Sequence, residues 1–205
     1  MNQTIKSIKS IKTIVIIGGM GPQASVHAHQ RLISKLKEAE KRANIIHISL
    51  EVKPFFSGTP KLNLSDKQID SLKNLKADVG FIACNTAHHF FDLFQTLVNF
   101  KLVSMIDVHL PEGATAFCSP TSKELGIFGE AKPLSKALTK RIENIIVSIN
   151  DDCLVKPGTL SDIVRDSGTE NPVFCCTEIS LQAFNEGLKG VDTLELALSK
   201  VVQGI

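Results

Sequence analysis

The segment Thr13-Ile14-Val15-Ile16-Ile17-Gly18-Gly19-Met20-Gly21-Pro22 decides the predicted fold. Its first five residues form a short β-branched, apolar run, which is typical of a strand buried on both faces. Glycines follow directly, and Pro22 suits the first turn of a helix that we expect to run to about residue 42. A strand, a glycine turn and a helix in this order predict the first unit of a parallel α/β sheet.

The same alternation continues along the chain. In the first half we expect further strands at 44–50, 79–83 and 102–106, with helices at 64–76 and 86–98. In the second half we expect strands at 125–128, 145–149 and 173–176, with helices at 133–142, 160–166, 178–186 and 193–202. This pattern indicates an α/β protein with two Rossmann-like lobes, each with a parallel sheet, related by an approximate internal dyad.

The predicted boundaries follow from the rhythm of strands and helices. We assign residues 1–106 together with 191–205 to a first α/β lobe and residues 107–190 to a second. In open α/β sheets, ligands bind beyond the carboxyl ends of the strands. The candidate site therefore lies in a cleft between the lobes, in the segments that follow the strands.

Composition excludes several classes of protein. The 205 residues carry 23 Lys and Arg against 21 Asp and Glu, a net charge of +2, so no basic footprint for nucleic acid is evident. No apolar run approaches the roughly 18 residues that span a bilayer. The five cysteines lack zinc spacing, and we expect a cytoplasmic protein with reduced thiols, no nucleic-acid partner and no membrane segment.

Two strand ends carry similar chemistry. Cys84-Asn85-Thr86 follows one apolar strand and Cys176-Thr177-Glu178 follows another, each before a helix. A helix N-terminus favours anions, and we expect it to lower the pKa of each thiol towards neutrality. Two facing thiols suit removal of a proton from one face of a carbon acid and its return to the other.

These motifs, with Gly18-Gly19-Met20-Gly21-Pro22, resemble the landmarks of the aspartate/glutamate racemase family, most closely its aspartate racemase branch. The resemblance implies an isomerase that acts on aspartate or a related small amino acid, needs no pyridoxal phosphate or other cofactor, binds no metal and forms homodimers. It makes Cys84 and Cys176 the catalytic acid and base. The implied substrate-binding residues are Met20, Lys53, Asn85, Thr86, Thr177 and Glu178.

The chain departs from the family pattern at several places, and the stretch 151–171 is also shorter than we expect. The loop after the second strand reads Glu51-Val52-Lys53-Pro54, where aspartate racemases carry an arginine, and Lys53 lacks the arginine fork. Ile127-Phe128-Gly129-Glu130 stands where we expect a threonine-rich turn, and Ala197 where we expect a histidine. The identity of the amino acid therefore stays open.

Other interpretations compete with the racemase. Residues 19–24 match the dinucleotide fingerprint, although Pro22 removes an amide donor where a pyrophosphate would bind. A related thiol-dependent isomerase of the maleate type, a decarboxylase and a non-catalytic amino-acid-binding protein also remain open.

Several charged and titratable side chains each leave two interpretations open. His88 follows Cys84 by four residues, so it either reaches the thiol or only caps the chain. Lys132 and Arg165 either add positive charge to the cleft or face solvent. The pairs His27/His29 and His88/His89 do not share helix faces, which disfavours a metal site.

Overall fold

The computed structural model describes residues 11–50 and 61–205, and these contain eight strands. The strands are β1 (Lys12–Gly18), β2 (Ala43–Ser49), β3 (Val79–Ile82), β4 (Lys101–Val103), β5 (Thr115–Phe117), β6 (Lys132–Pro133), β7 (Pro172–Phe174) and β8 (Val191–Asp192). The helices are α1 (Pro22–Glu38), α2 (Asp66–Asn74), α3 (Phe91–Leu97), α4 (Pro120–Glu124), α5 (Lys136–Asn150), α6 (Thr159–Ser167), α7 (Thr177–Asn185) and α8 (Thr193–Gln203). A short 3₁₀ helix, Thr86–Phe90, precedes α3.

The strands form two parallel four-stranded sheets with the same internal order. The first sheet runs β2-β1-β3-β4 and the second β6-β5-β7-β8. In each sheet, all neighbouring strands of the described residues run parallel. The α/β class predicted from the sequence is confirmed, and β3 and β7 hold equivalent positions in their sheets.

The first sheet is covered on both faces, as the apolar composition of β1 predicts. Ile14 and Ile16 pack on one side with residues of α1 and α8, while Val15 and Ile17 pack on the other with Phe94. These four side chains of β1 are fully buried. Successive strand residues point to opposite faces, so each of the four belongs to one of two apolar cores.

The second sheet is built from much shorter strands and also separates two apolar clusters. Phe117 and Phe174 face a cluster that contains residues of α5, α6 and α7. Ala116 and Val173 face the opposite cluster, which includes Phe128 and Ala131. The chain segment after residue 190 serves both sheets, because β8 pairs with β7 while α8 packs into the core of the first sheet.

Two predicted strands of the second half are wrong. Residues 145–149 lie inside α5, where Ile142, Ile145, Ile146 and Ile149 occur at helical spacing and are all buried on one face. Residues 125–128 form a turn after α4, and the strand of this region is β5. Within the described ranges, no helix is both long and apolar enough to cross a membrane.

Candidate active site

The segments that follow β1, β3, β5 and β7 converge on one cavity at the carboxyl edges of the two sheets. The open volume is small, about 30 Å³. Its walls are Met20, Cys84, Asn85, Thr86, Ser119, Pro120, Glu143, Ile146, Asn150, Cys176, Thr177 and Glu178. Parallel strands with equivalent order bring these turns together, which is the placement that the sequence predicts.

The glycine turn after β1 is shaped by close backbone contacts. Gly19 has a φ of +98°, and a β-carbon there would collide with the backbone of Leu50. A β-carbon on Gly21 would collide with Oε1 of Glu178. Met20 is buried and lines the cavity. The two glycines therefore allow the turn to lie against the chain after β2 on one side and against the Glu178 carboxylate on the other.

Cys84 follows β3 and is largely enclosed. Backbone amides of Thr86 and Ala87 donate towards its sulfur, as expected at the start of a helical turn. Burial and the nearby Glu178 carboxylate outweigh these amides and raise the pKa of the Cys84 thiol to about 12. Removing a thiolate from water disfavours the charged form.

Cys176 caps α7 in an extended conformation, and its side chain is almost fully buried. The thiol donates to Oε2 of Glu178 over 2.9 Å, and Thr177 Oγ1 donates to the same oxygen over 3.2 Å. Burial and the Glu178 carboxylate raise the pKa of Cys176 well above its ordinary value, and the Cys84 sulfur adds to this effect. The expectation of lowered thiol pKa values is wrong for both cysteines.

The side chain of Asn85 forms hydrogen bonds within the protein. Its Nδ2 donates to Thr193 Oγ1 over 3.1 Å, and that hydroxyl lies 3.3 Å from the carbonyl oxygen of Phe174. Asn85 and Thr193 are both buried. The amide therefore joins the turn after β3 to the start of α8 and the end of β7, while its remaining surface faces the cavity.

Thr86 belongs to a group of three buried hydroxyls. Its Oγ1 lies 3.0 Å from Ser119 Oγ and 2.8 Å from Ser122 Oγ, and these two serine oxygens are 3.0 Å apart. Ser119 and Ser122 lie after β5 and were missed by the sequence analysis. Both serines are small polar residues, but the three-residue strand before them is too short to be recognised in the sequence.

The charged residues around the cavity are acidic. Glu143 and Glu178 line it, and Glu143 also pairs with Lys140 over 2.7 Å. Asn150 contributes a buried Oδ1 that accepts no hydrogen bond from the described residues. Among the described residues that line this cavity, none is Lys or Arg. Lys53, the predicted cation, lies outside the described residues.

His88 does not reach the Cys84 thiol. Its Nδ1 donates to the Cys84 carbonyl oxygen over 2.9 Å, and its Nε2 accepts from the Met105 amide over 3.0 Å. These two contacts require the neutral ring with the proton on Nδ1. Burial lowers the pKa of His88 to about 4, so the neutral imidazole connects the segments that follow β3 and β4.

The remaining charged candidates lie away from the cavity. Arg165 is highly exposed and pairs with Asp162 and Asp166, and Lys132 is exposed on β6. Within residues 11–50 and 61–205, no three His, Cys, Asp or Glu side chains come together in an arrangement suited to a metal ion.

The fold is shared with proteins of known structure. A protein from Yersinia pestis assigned as an Asp/Glu racemase superposes with a TM-score of 0.66 at 17% identity, over 94% of this chain and 98% of that chain. An aspartate racemase homologue from Pyrococcus horikoshii OT3 superposes with a TM-score of 0.64 at 21% identity, with the same coverage. No protein-family model matches the sequence. At these identities, the likeness establishes a common fold of two parallel α/β sheets.

Proposed function

We propose that this protein is a cofactor-independent amino-acid racemase of the Asp/Glu racemase type, in which Cys84 and Cys176 exchange the α-proton. One observation carries the proposal: two cysteines at equivalent strand ends, after β3 and after β7, line one cavity. The two structural relatives named above, one assigned as a racemase and one a racemase homologue, give independent support at the level of the fold.

The proposed reaction is a proton transfer across the cavity. One sulfur, as thiolate, removes the α-proton from one face of the substrate, and the opposite thiol protonates the resulting carbanion from the other face. The product is the enantiomer, and the two sulfurs have exchanged protonation states. A raised thiol pKa makes the thiolate a stronger base for a weakly acidic C–H bond, although it reduces the thiolate fraction near neutral pH.

Substrate binding is proposed to use polar groups at the strand ends. The backbone amides of Thr86 and Ala87 face the Cys84 sulfur, so they are placed to hold a carboxylate beside it. Thr177 and the remaining surface of Asn85 are proposed to contact the substrate, and Met20 to form an apolar wall. Because the cavity is small, the substrate must displace existing side chains, of which Glu178 is bonded directly to Cys176.

The negative charges at the cavity limit which substrate side chains can bind there. Glu143 and Glu178 place negative charge there, which opposes a second carboxylate on the substrate. We propose a small amino acid, with aspartate accommodated only if Lys53 supplies the balancing charge. The homodimer and the cytoplasmic location remain predictions from the sequence.

A non-catalytic binding protein is the second candidate. The observation that favours it is the raised pKa of both thiols, which keeps them protonated near neutral pH. Such a protein would bind an amino acid in the same cavity without exchanging its α-proton.

The test is α-proton exchange in D₂O with pooled L- and D-amino acids, followed by NMR and chiral chromatography. A racemase incorporates deuterium and forms the opposite enantiomer, and Cys84→Ala and Cys176→Ala each abolish turnover. Cys153→Ala is the matched control, since Cys153 is exposed and lies outside the cavity.

Each negative result has a defined meaning. Absence of exchange with folded protein and free thiols contradicts the racemase. Ligand binding that survives Cys84→Ala in the absence of exchange identifies the binding protein instead. Formation of the opposite enantiomer that persists in either cavity-cysteine variant contradicts the two-thiol mechanism.

A further inference from the structure

A second pair of cysteines lies on the opposite face of the second sheet. The register of β5 and β7 pairs Ala116 with Val173 and Phe117 with Phe174, so the next residues, Cys118 and Cys175, stand opposite each other. The Cys175 amide donates to the Phe117 carbonyl over 3.1 Å, which continues the ladder to this position. Adjacent strands lie about 4.8 Å apart, within the range of Cα separations that a disulfide bridges.

Both side chains of this pair point to the same side. Cys118 and Cys175 belong to one buried apolar cluster with Ala116 and Val173. Cys176, one residue later, packs in the cluster on the other face. The strand alternation therefore separates the Cys118/Cys175 pair from the Cys84/Cys176 pair.

The pair is reached from a cavity distinct from the candidate active site. This cavity has a volume of about 300 Å³ and is lined largely by apolar side chains. Cys118 forms part of its wall, while Cys175 is fully buried behind it. Lys123 lines the same space, where its ammonium group donates to the Leu134 carbonyl over 2.9 Å.

The surroundings give the two sulfurs different chemical characters. The Cys175 thiol and the Lys123 ammonium group lower the pKa of Cys118 despite its burial. Burial and the neighbouring Cys118 raise the pKa of Cys175 well above its ordinary value. Cys118 lines the cavity while Cys175 is fully buried behind it, so Cys118 is the sulfur that an entering disulfide meets first. The directions of the two pKa shifts agree with Cys118 as the attacking thiolate and Cys175 as the thiol that later displaces the group bound to Cys118.

We propose that Cys118 and Cys175 form a reversible oxidation site that reacts with small-molecule disulfides, one arm of which enters the 300 Å³ cavity. The Cys118 thiolate attacks one sulfur of the disulfide, forms a mixed disulfide and releases one thiolate. The Cys175 thiol then loses its proton and attacks the Cys118 sulfur, forming the Cys118–Cys175 disulfide and releasing the second thiol. The protein loses two electrons and two protons in total, and the small disulfide is reduced to two thiols.

This site is coupled by the chain to the candidate active site. Ser119 follows Cys118 and Cys176 follows Cys175, and both of these neighbours line the active-site cavity. A bond between Cys118 and Cys175 therefore fixes the two strand ends that carry Ser119 and Cys176. The oxidation site itself does not depend on the racemase proposal.

The test uses a variant that retains only this pair, Cys84→Ser/Cys153→Ser/Cys176→Ser, treated with glutathione disulfide. Intact mass spectrometry is expected to show a mass lower by two hydrogens, with no glutathione retained and full reversal by dithiothreitol. Adding Cys175→Ser is expected to trap one glutathione on Cys118. Adding Cys118→Ser instead is expected to leave most of the protein unmodified over the same time, because Cys175 is fully buried behind the cavity wall and its raised pKa leaves little thiolate.

The role of the cavity has its own matched variants. Lys123→Met removes the ammonium group and is expected to slow the reaction, and Lys123→Arg is expected to restore it. Ala131→Leu fills the cavity and is expected to slow the reaction of the folded protein but not that of the urea-unfolded chain.

Two results overturn the proposal. One is folded protein, verified by circular dichroism, that stays reduced while a small model thiol at equal concentration is oxidised. The other is stable glutathione adducts on both cysteines without a disulfide. If the triple variant does not fold, peptide mapping of the oxidised unsubstituted protein decides between a Cys118–Cys175 link and any other pairing.

Discussion

The thiol of Cys176 donates to the carboxylate of Glu178 two residues later, with Sγ 2.9 Å from Oε2. The same carboxylate also raises the pKa of Cys84 across the cavity. One acidic side chain therefore helps to keep both sulfurs protonated. This relationship, together with burial, sets the ionisation of the candidate site.

Replacement of Glu178 tests this relationship directly. Glu178→Gln removes the negative charge and keeps a hydrogen-bond acceptor, so the pKa of both Cys84 and Cys176 is expected to fall. The pH dependence of iodoacetamide alkylation, followed by peptide mapping, measures the two values. Glu143→Gln is the control, since Glu143 lines the same cavity but is not a cause of either shift. Equal pKa changes in both variants would contradict the assignment to Glu178.

The contact between Asn85 and Thr193 is expected to stabilise the fold. Thr193→Val removes the hydroxyl that bonds Asn85 and approaches the Phe174 carbonyl, and it leaves buried polar groups without a partner. The free energy of unfolding is expected to fall by about 1–3 kcal/mol in urea denaturation. Ser199→Ala on the same helix loses only a bond to the preceding turn and is expected to change stability much less. Equal losses in the free energy of unfolding for both variants would contradict a stabilising role of the Thr193 hydroxyl in this contact.

Gly19 is expected to tolerate no side chain. Gly19→Ala combines a φ of +98° with a collision against the Leu50 backbone. Gly113 is the matched control. It has a φ of +71°, and no atom lies within 4 Å of the position that its β-carbon would take. Gly113→Ala is expected to cost about 1 kcal/mol from backbone conformation alone, and Gly19→Ala clearly more. Thermal unfolding of the two variants measures the difference, and equal melting temperatures would show that the turn moves freely away from Leu50.

Acid is expected to destabilise the protein through two buried histidines. Burial lowers the pKa of His27 and His88 from 6.5 to about 4, so the unfolded chain binds protons more readily than the folded one. Their contribution to stability is fully present above pH 6.5 and is lost as the pH falls towards 4. For His88 this loss between pH 6.5 and pH 4 is up to roughly 3 kcal/mol, and for His27, whose burial is less complete, it is smaller.

The variant His88→Gln isolates one of these contributions. Urea denaturation at several pH values is expected to show a shallower loss of stability in acid than for the unsubstituted protein. His89→Gln is the control, because His89 is exposed on the same turn. An unchanged acid slope in His88→Gln would contradict the neutral, doubly bonded imidazole.

The first sheet was predictable because its strands are clearly marked. β1 is a β-branched run buried on both faces, and glycines follow it directly. The second sheet has strands of only two or three residues, too short to show a periodicity. Tertiary pairing holds these strands in place, and nothing local in Thr115-Ala116-Phe117 marks them as a strand.

The positions of the two cavity cysteines were predictable on other grounds, because each follows a short apolar run and is followed by polar residues that begin a helical segment. Ser119 was missed because β5 was missed. Glu143 and Asn150 come from the flank of α5 and carry no motif at all. The sequence also shows that each thiol lies at the start of a helical segment, which lowers a thiol pKa. It does not show that burial and the Glu178 carboxylate raise the pKa of both thiols by more.

The unequal surroundings of the two cavity sulfurs have a kinetic consequence. Of these two thiols, it is Cys176 that bonds directly to Glu178, although the strands that carry the cysteines are equivalent. Enantiomers have the same free energy in water, so an enzyme that interconverts them has an equilibrium constant of one and equal kcat/KM in both directions. For the proposed racemisation, the asymmetry of the Glu178 contact could therefore change kcat and KM only in proportion to each other, so that the more tightly bound enantiomer would be turned over more slowly.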